Sequence, residues 1–209
     1  MESTSDPAPY QYKREIVFKK GETIFKQGTF ISKIIFIQEG LVKLFIEGTS
    51  GKDLIVRFYG QMEYLGLSGV FGKNESKYTA QVLRKTRVCM IEINHFKKML
   101  SKHPSLNEHL FNHINEEHDL LFSRLGILGT KNLQGRLAEA ILYLYQISQK
   151  ENDIYSHITR RDIAELSAMS VESMIRLLNE FKHDKLININ GKDIEINNLE
   201  MIKILCKAG

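Results

Sequence analysis

Over the first half of the chain, hydrophobic and polar residues follow a pattern typical of β-strands. Short runs of β-branched and aromatic residues extend from about Arg14 to Ile93, and glycine-containing turns separate them. The predicted strands are Glu15–Phe18, Ile34–Ile37, Leu41–Ile46, Leu54–Phe58, Thr79–Val82 and Val88–Ile93. Strands at this spacing predict an antiparallel sandwich or jelly-roll barrel, whereas Pro7 and Pro9 predict a polar, irregular tail over residues 1–12.

The pattern changes near Asn94 to the spacing of amphipathic helices. Asn94 is predicted to cap a short helix through Leu100, and Pro104 to begin a longer one. A seam at intervals of three and four residues follows: Phe111, Ile114, His118, Leu121, Leu125 and Leu128. Such a helix often only packs on its own domain, but nearly three heptads in register favour a helix–helix seam and hence a homodimer.

The second half of the chain is predicted to be mainly helical, after a hinge at residues 126–133 that contains Gly126, Gly129 and Asn132. The predicted helices are Gly135–Ser148, Asp162–Leu166, Val171–His183 and Leu199–Leu205. Ile158–Arg161 is predicted to be extended. An Asn190-Gly191 turn predicts a hairpin over Leu186–Ile196, called the wing below.

The segment Ile158–Ile187 carries the most information about function. A short helix, a tight turn and a second helix capped by Ser170 form the pattern of a helix-turn-helix motif. Its predicted packing residues are Ile163, Ala164, Leu166, Met169, Met174, Leu177 and Leu178. Glu172 and Arg176 lie one turn apart where a recognition helix reaches base edges. The alternative, a solvated Glu172–Arg176 ion pair, explains the spacing alone but not the surrounding motif.

Composition and charge limit the class of protein. With 209 residues, 43% hydrophobic and 26% charged, the chain resembles an ordinary globular protein. It contains no apolar stretch of the ~18 residues that a membrane span needs, and its polar N-terminus differs from a secretory signal. Cys89 and Cys206 are too few for a disulfide framework, which predicts a cytoplasmic protein with reduced thiols. Residues 130–209 hold 11 basic and 11 acidic residues, so DNA binding would depend on local geometry.

Taken together, these segments resemble the CRP/FNR family of bacterial transcription regulators over nearly the whole chain. The resemblance rests on GETIFKQG (Gly21–Gly28), IIFIQEGLVKLF (Ile34–Phe45), GRLAEAILYL (Gly135–Leu144) and ITRRDIAELSAMSVESMIRLL. It implies an α+β fold with an antiparallel β-roll, a long dimerisation helix and a winged helix-turn-helix. The implied domains are a sensor β-roll at 1–105, a dimerisation helix with its hinge at 106–130 and a DNA-binding domain at 131–209.

The resemblance also implies roles for individual residues in DNA binding. Arg176 would donate to guanine and Glu172 would accept from the paired cytosine. The residues implied to face or position the phosphates are Thr159, Arg160, Ser170 and Ser173, with Lys192 in the wing. Val171 and Ile175 depart from the family pattern; an apolar side chain there could meet a thymine methyl, so a different half-site is expected.

The effector site that the resemblance implies lacks its charged residues. Cyclic-nucleotide-binding members carry Gly-Glu and Arg-Ser/Thr-Ala, but this chain has Gly66-Leu67 and Lys77-Tyr78-Thr79-Ala80, with Tyr78 in place of the arginine and Lys77 beside it. Leu121 and Phe122 are implied to face the ligand from the dimerisation helix. A phosphate without its arginine partner is poorly held, which argues against cyclic AMP.

Metal-dependent sensing has equally little support in the sequence. No cysteine precedes Cys89, as the cysteine cluster of oxygen-sensing members would require, and no histidine precedes His95. Haem would have to use the dimerisation helix, where His109 and His113 lie four residues apart and His118 is on the seam, but solvated histidines are the favoured interpretation. We therefore predict no metal and no cofactor, and leave haem or another small effector open.

The expected partners are double-stranded DNA, a second copy of the chain and RNA polymerase, with no membrane. No nucleophile–base pair or matched carboxylates stand out, so no catalytic residues are predicted. Two alternatives stay open. One is a small-molecule-binding or enzymatic β-barrel whose helical tail contacts other proteins. The other is a regulator without a ligand, controlled by its own abundance.

Overall fold

The computed structural model describes residues 13–72, 74–149 and 153–208, and the tail predicted at residues 1–12 lies outside these ranges. The chain forms two compact units. The first comprises the residues up to Ile46 together with Phe58–His113, and the second comprises Glu47–Arg57 with Ile114–Gly209. Among the described residues, no helix is long and apolar enough to cross a membrane.

A six-stranded sheet is built on two long strands, and it belongs to the first unit except for residues 54–57. The strands are β1 Lys13–Phe18, β2 Thr23–Phe25, β3 Lys33–Ile46, β4 Leu54–Tyr59, β5 Tyr64–Leu65 and β6 Thr79–Glu92. Their order is β1-β6-β3-β4, with β2 beside β6 and β5 beside β3. The pairs that β6 makes with β1, β2 and β3 are antiparallel, which confirms the predicted antiparallel β domain.

Strands β3 and β6 each join two segments that the sequence predicts as separate strands. Gly40 lies where the register between β3 and β6 shifts, at a φ of +132°. A Cβ at Gly40 would stand 2.2 Å from Oγ1 of Thr86, so only glycine allows this close approach. The irregularity therefore bends β3 without ending it, and the predicted interruptions at 38–40 and 83–87 are wrong.

Apolar side chains of these strands form the core of the first unit, which includes Ile35, Ile37, Val42, Leu44, Val82 and Val88. Helix α1 is Ser68–Phe71 and helix α2 is Ile93–Lys102. Helix α2 begins one residue before the predicted cap Asn94, and Glu92 occupies the capping position without a side-chain hydrogen bond.

A 27-residue helix, α3, runs over Pro104–Thr130. It continues through Gly126 and Gly129, so the predicted hinge is reduced to Lys131 and Asn132. One glycine inside a helix costs about 1 kcal/mol relative to alanine, which is not enough to end a long helix. Asn132 then caps helix α4, Leu133–Ser148, by accepting a hydrogen bond from the Gly135 amide at 3.0 Å.

The remaining elements of the second unit form a winged helix-turn-helix. They are α5 Ile154–His157, α6 Arg160–Leu166, α7 Val171–His183, β7 Ile187–Asn190, β8 Asp193–Ile196 and α8 Leu199–Ala208. Helix α8 packs on α4. Lys131 Nζ donates to the Glu139 carboxylate at 2.6 Å and to the backbone carbonyl of Cys206, which ties α8 to the α3–α4 linker.

One further prediction for this unit is wrong, and one helix has no counterpart in the sequence pattern. Helix α5 has only four residues, which are too few to show a helical period. The extended piece predicted at Ile158–Arg161 covers only Ile158 and Thr159, since α6 begins at Arg160.

Candidate nucleic-acid interface

Reciprocal capping holds the start of α6. Thr159 Oγ1 accepts a hydrogen bond from the Asp162 amide at 3.1 Å, and the Asp162 carboxylate accepts one from the Thr159 amide at 2.7 Å. These two bonds form a capping box. Asp162 is buried, and its carboxylate accepts from both the amide and the hydroxyl of Thr159 at the positive end of the helix.

A tight turn at residues 167–169 joins α6 to α7. The Met169 amide donates to the Ala164 carbonyl at 3.0 Å, and the buried Ser167 hydroxyl donates to the Ile163 carbonyl at 2.8 Å. Ala168 adopts a φ of +51°, which a small side chain tolerates better than a branched one. Beneath the turn, six of the seven predicted packing residues are buried, and Met169 is half-buried.

Helix α7 presents a polar face from its first turn. Ser170 Oγ accepts a hydrogen bond from the Ser173 amide at 3.2 Å and caps the helix. Glu172, Ile175 and Arg176 are exposed, whereas Met174, Leu177 and Leu178 on the opposite face are buried. Val171 and Ser173 are half-buried. The buried face fixes the helix and leaves the predicted base-reading positions open.

Glu172 is held as a charged acceptor at the start of α7. Hydrogen bonding from its own backbone, and after that from Ser170, lowers the pKa of Glu172. A carboxylate in this state accepts hydrogen bonds and donates none, which suits a contact with an amino group.

Arg176 pairs with Glu180 and not with Glu172. Arg176 Nη1 donates to Glu180 Oε1 at 2.6 Å, one turn further along α7. The alternative of a Glu172–Arg176 ion pair is therefore not the arrangement found. The four-residue spacing to Glu180 was the available signal. Because both side chains are well exposed, the pair is weak and can open.

The wing stands beside the start of α6. Gly191 has a φ of +61° in the turn between β7 and β8, and the side chain of Lys192 is exposed. Two nitrogens of Arg160 donate to the backbone carbonyls of Gly191 and Lys192. The structure thus brings the predicted phosphate-facing residues Thr159, Arg160 and Lys192 together; they line one small cavity with Ile158 and Ile163.

The predicted effector residues of the first unit are enclosed. Gly66 is buried with a φ of +82°, and Leu67 is half-buried. The Tyr78 ring packs on Phe25 with centroids 5.5 Å apart. Burial raises the pKa of Tyr78, while a hydrogen bond from the Gly66 backbone acts in the opposite direction. Thr79 is buried and its hydroxyl accepts from the Gln27 amide at 2.9 Å.

Helix α3 carries exposed apolar side chains along the predicted seam. Leu121 is 43% exposed and Phe122 is 71% exposed, and both belong to the second unit. Phe111 and Leu125 are each 65% exposed, His118 is also exposed, and Ile114 and Leu128 are half-buried.

The histidines of α3 differ from each other. His109 is exposed, but His113 is buried and lies edge-on to Tyr64 with ring centroids 6.2 Å apart. The expectation that His113 is solvated is wrong, because this position faces the first unit rather than solvent. Within the described residues, no three His, Cys, Asp or Glu side chains are grouped as a metal site requires. Cys89 and Cys206 alone cannot supply the four thiolates of an iron–sulfur cluster.

Comparison with known proteins agrees with this geometry. A family model described as a cyclic nucleotide-binding domain matches residues 15–103, and a Crp-like helix-turn-helix domain matches residues 135–204. The transcriptional activator protein Anr of Pseudomonas protegens is 26% identical over 201 residues, covering 94% of this chain and 81% of Anr.

Solved structures share the fold. FixK2 from Bradyrhizobium japonicum has a TM-score of 0.77 at 17% identity, covering 92% of this chain and 96% of FixK2. TTHA1359, a CRP/FNR-family transcriptional regulator from Thermus thermophilus, has a TM-score of 0.73 at 20% identity, covering 93% and 98%. With its nucleotide-binding-type β domain followed by a Crp-like helix-turn-helix, the chain belongs to the CRP/FNR family of DNA-binding transcription regulators.

Proposed function

We propose that the chain acts in the cytoplasm as a homodimer that reads a near-palindromic DNA site and contacts RNA polymerase, without enzymatic activity. The observation that carries this proposal is the exposed row of Glu172, Ile175 and Arg176 on a helix anchored by its buried face. In a dimer, two such helices would enter successive major grooves about 34 Å apart.

Base reading in this proposal depends on Arg176 and Glu172. Arg176 leaves the exposed Glu180 and donates two hydrogen bonds to a guanine edge, and Glu172 accepts from the paired cytosine amino group. Val171 and Ile175 offer apolar contacts to thymine methyl groups. The lowered pKa of Glu172 supports its role as an acceptor.

Phosphate contacts and positioning fall to the residues around this face. The proposed residues are Thr159, Arg160, Ser170, Ser173 and Lys192. Since residues 130–209 have no excess of basic over acidic residues, these few contacts replace a broad positive surface.

Dimerisation is proposed to occur along α3, through Phe111, Ile114, His118, Leu121, Leu125 and Leu128. Large apolar side chains that stay exposed in a single chain, at heptad spacing, support a partner helix. In this view residues 1–105 form the sensor domain, 106–130 the dimerisation segment and 131–209 the DNA-binding domain.

The sensor domain is proposed to work without cyclic AMP. Tyr78 is packed against Phe25 near the Gly66 backbone in place of the family's arginine, and the neighbouring Lys77 pairs with Glu75 instead. An apolar effector at Gly66, Leu67, Tyr78 and Thr79, or regulation by abundance alone, is proposed instead; the part expected of Leu121 and Phe122 stays a prediction.

Selection on random duplexes, followed by footprinting of the recovered sequence, tests the proposal. We expect an inverted repeat whose half-sites are one helical turn apart and equally protected. A single half-site, or recovered duplexes without any dyad, would contradict the homodimer.

A further inference from the structure

We propose that Arg160 is a positioning residue of the wing: its guanidinium fixes the Gly191–Lys192 turn, so that Lys192 rather than Arg160 meets the DNA phosphate. This inference rests on the proposed DNA-binding function. It assigns to Arg160 a role that differs from direct phosphate contact.

The hydrogen bonds of Arg160 carry the argument. Arg160 Nη2 donates to the Gly191 carbonyl at 2.9 Å, and Nη1 donates to the Lys192 carbonyl at 3.2 Å. The planar guanidinium therefore spans two successive carbonyls, a geometry that an ammonium group on a flexible chain does not reproduce.

The wing needs such a support. Strands β7 and β8 have four residues each, and a two-stranded hairpin is marginally stable by itself. Ile187 and Ile194 are buried and anchor the strands, but Asn190, Gly191 and Lys192 at the tip are exposed. A cavity of about 130 Å³ lies between the tip and the start of α6, so packing alone does not hold the turn.

The charges around Arg160 also favour its present position. Partial burial lowers the pKa of Arg160, whereas Tyr155 and Asp193 act to raise it, so the guanidinium lies near both groups. The Tyr155 hydroxyl is buried without a hydrogen-bond partner among the described residues, and burial raises its pKa to about 12. Drawing Arg160 out to a phosphate would break two carbonyl contacts and leave Asp193 less well balanced.

The consequence for DNA concerns the direction of the turn. The Gly191 and Lys192 carbonyl oxygens face the Arg160 guanidinium, and in the proposed complex this would keep them from repelling a phosphate. The exposed ammonium group of Lys192 is then the charge offered at the tip.

A double-mutant cycle separates positioning from direct contact. The probe is a duplex recovered by selection with the wild-type chain, and the variants are Arg160→Ala, Arg160→Lys, Lys192→Ala and the Arg160→Ala/Lys192→Ala pair. We expect each alanine variant to weaken binding about tenfold, and the pair to lose no more than about twofold beyond either one. Arg160→Lys should bind as poorly as Arg160→Ala, because it keeps the charge but loses the two-carbonyl geometry.

Arg161→Ala is the matched control, since Arg161 is the next arginine along and bonds Glu165 at 2.7 Å instead of the wing. It should leave the effect of Lys192→Ala unchanged. Additive losses in the Arg160–Lys192 pair, or near-normal binding by Arg160→Lys, would overturn the proposal by showing that Arg160 itself binds phosphate.

A second measurement uses the free protein. Amide relaxation by NMR should show Gly191 and Lys192 becoming more mobile in Arg160→Ala and not in Arg161→Ala. An unchanged wing in Arg160→Ala would overturn the positioning role even if DNA binding fell. If the wild-type chain bound no duplex while the wing still loosened, the proposed function would be the part that failed.

Discussion

The candidate effector residues of the first unit and the candidate DNA-binding residues of the second differ in solvent exposure. In the first unit, Gly66 and Thr79 are buried and Tyr78 is packed on Phe25 beside the Gly66 backbone. In the helix-turn-helix, Glu172 and Arg176 are exposed, and their hydrogen bonds are to neighbours on or beside the same helix.

This contrast supports the proposal that the chain reads DNA and binds no cyclic nucleotide at these residues. Buried groups in the first unit are expected to act as packing, because a charged ligand would have to displace them. Exposed polar groups on a rigid helix are available to a partner at little cost. The match of residues 135–204 to a helix-turn-helix domain likewise favours DNA reading over a protein-interaction tail.

The largest loss of DNA binding is expected from a change on α3, whose predicted seam exposes apolar side chains, whereas α7 exposes the polar Glu172 and Arg176. Leu121→Glu would place a carboxylate against its symmetry mate in the proposed dimer. Burying unpaired charge costs about 3–5 kcal/mol, so dimerisation should weaken at least about a hundredfold and operator binding should be lost. Sedimentation velocity measures the change.

Ser123→Glu is the control for Leu121→Glu, because Ser123 is exposed on α3 outside the predicted seam. It should leave the dimer intact. A Leu121→Glu dimer of normal affinity would place the interface elsewhere.

The next largest effect is expected at the exposed polar residues of α7, Arg176 and Glu172. Arg176→Ala should lower affinity by about 1–3 kcal/mol and relax preference at one base pair, and Glu172→Ala should relax the same pair. Selection on randomised half-sites reads out both. Lys182→Ala, near the far end of α7, should leave preferences unchanged. If Arg176→Ala lost affinity equally for all DNA sequences, Arg176 would contact only the DNA backbone and would not read a base.

A smaller effect is expected at Glu180, which holds Arg176 in the free chain. Glu180→Gln should release Arg176 and strengthen specific binding about two- to fivefold, since exposed ion pairs contribute up to about 1 kcal/mol. Glu200→Gln removes an exposed carboxylate that pairs with Lys203 on α8 and serves as the control for charge. DNA affinity is measured by titration at fixed salt. An equal gain in affinity for both variants would show that the loss of a negative charge, and not the release of Arg176 from Glu180, causes the change.

No effect at all is expected from cyclic AMP. With Leu67 and Tyr78 in place of the charged residues, calorimetry should record no binding heat, and DNA affinity should not change on addition of the nucleotide. Stoichiometric binding of cyclic AMP would show that the buried residues of the first unit still form a ligand site, and the contrast with the second unit would not hold.

Local signals explain what the sequence could predict. Helix α7 has the predicted bounds, Val171–His183, because the Ser170 cap and the helical period of the buried face lie within the same few residues. The wing was predicted from its Asn-Gly turn for the same reason.

Features that depend on distant residues could not be predicted. Gly40 keeps β3 continuous only because Thr86 lies across the sheet, 46 positions away in sequence. The carbonyls that accept from Arg160 are 31 and 32 positions further along. His113 is buried against Tyr64, which its own helix does not indicate. Spacing within one element carries no information about such neighbours.

The contact of Lys131 with Cys206 can form only after the last helix has been synthesised. Lys131 bonds a carbonyl that lies 75 residues later in the chain. Because a ribosome releases residues in sequence, we expect the first sheet, complete at Glu92, to form well before α8 exists to pack on α4. Translation products that end before α8 would then hold the complete sheet, while α4 would lack the helix that packs on it. If the proposed function holds, such fragments should bind DNA more weakly than the full chain.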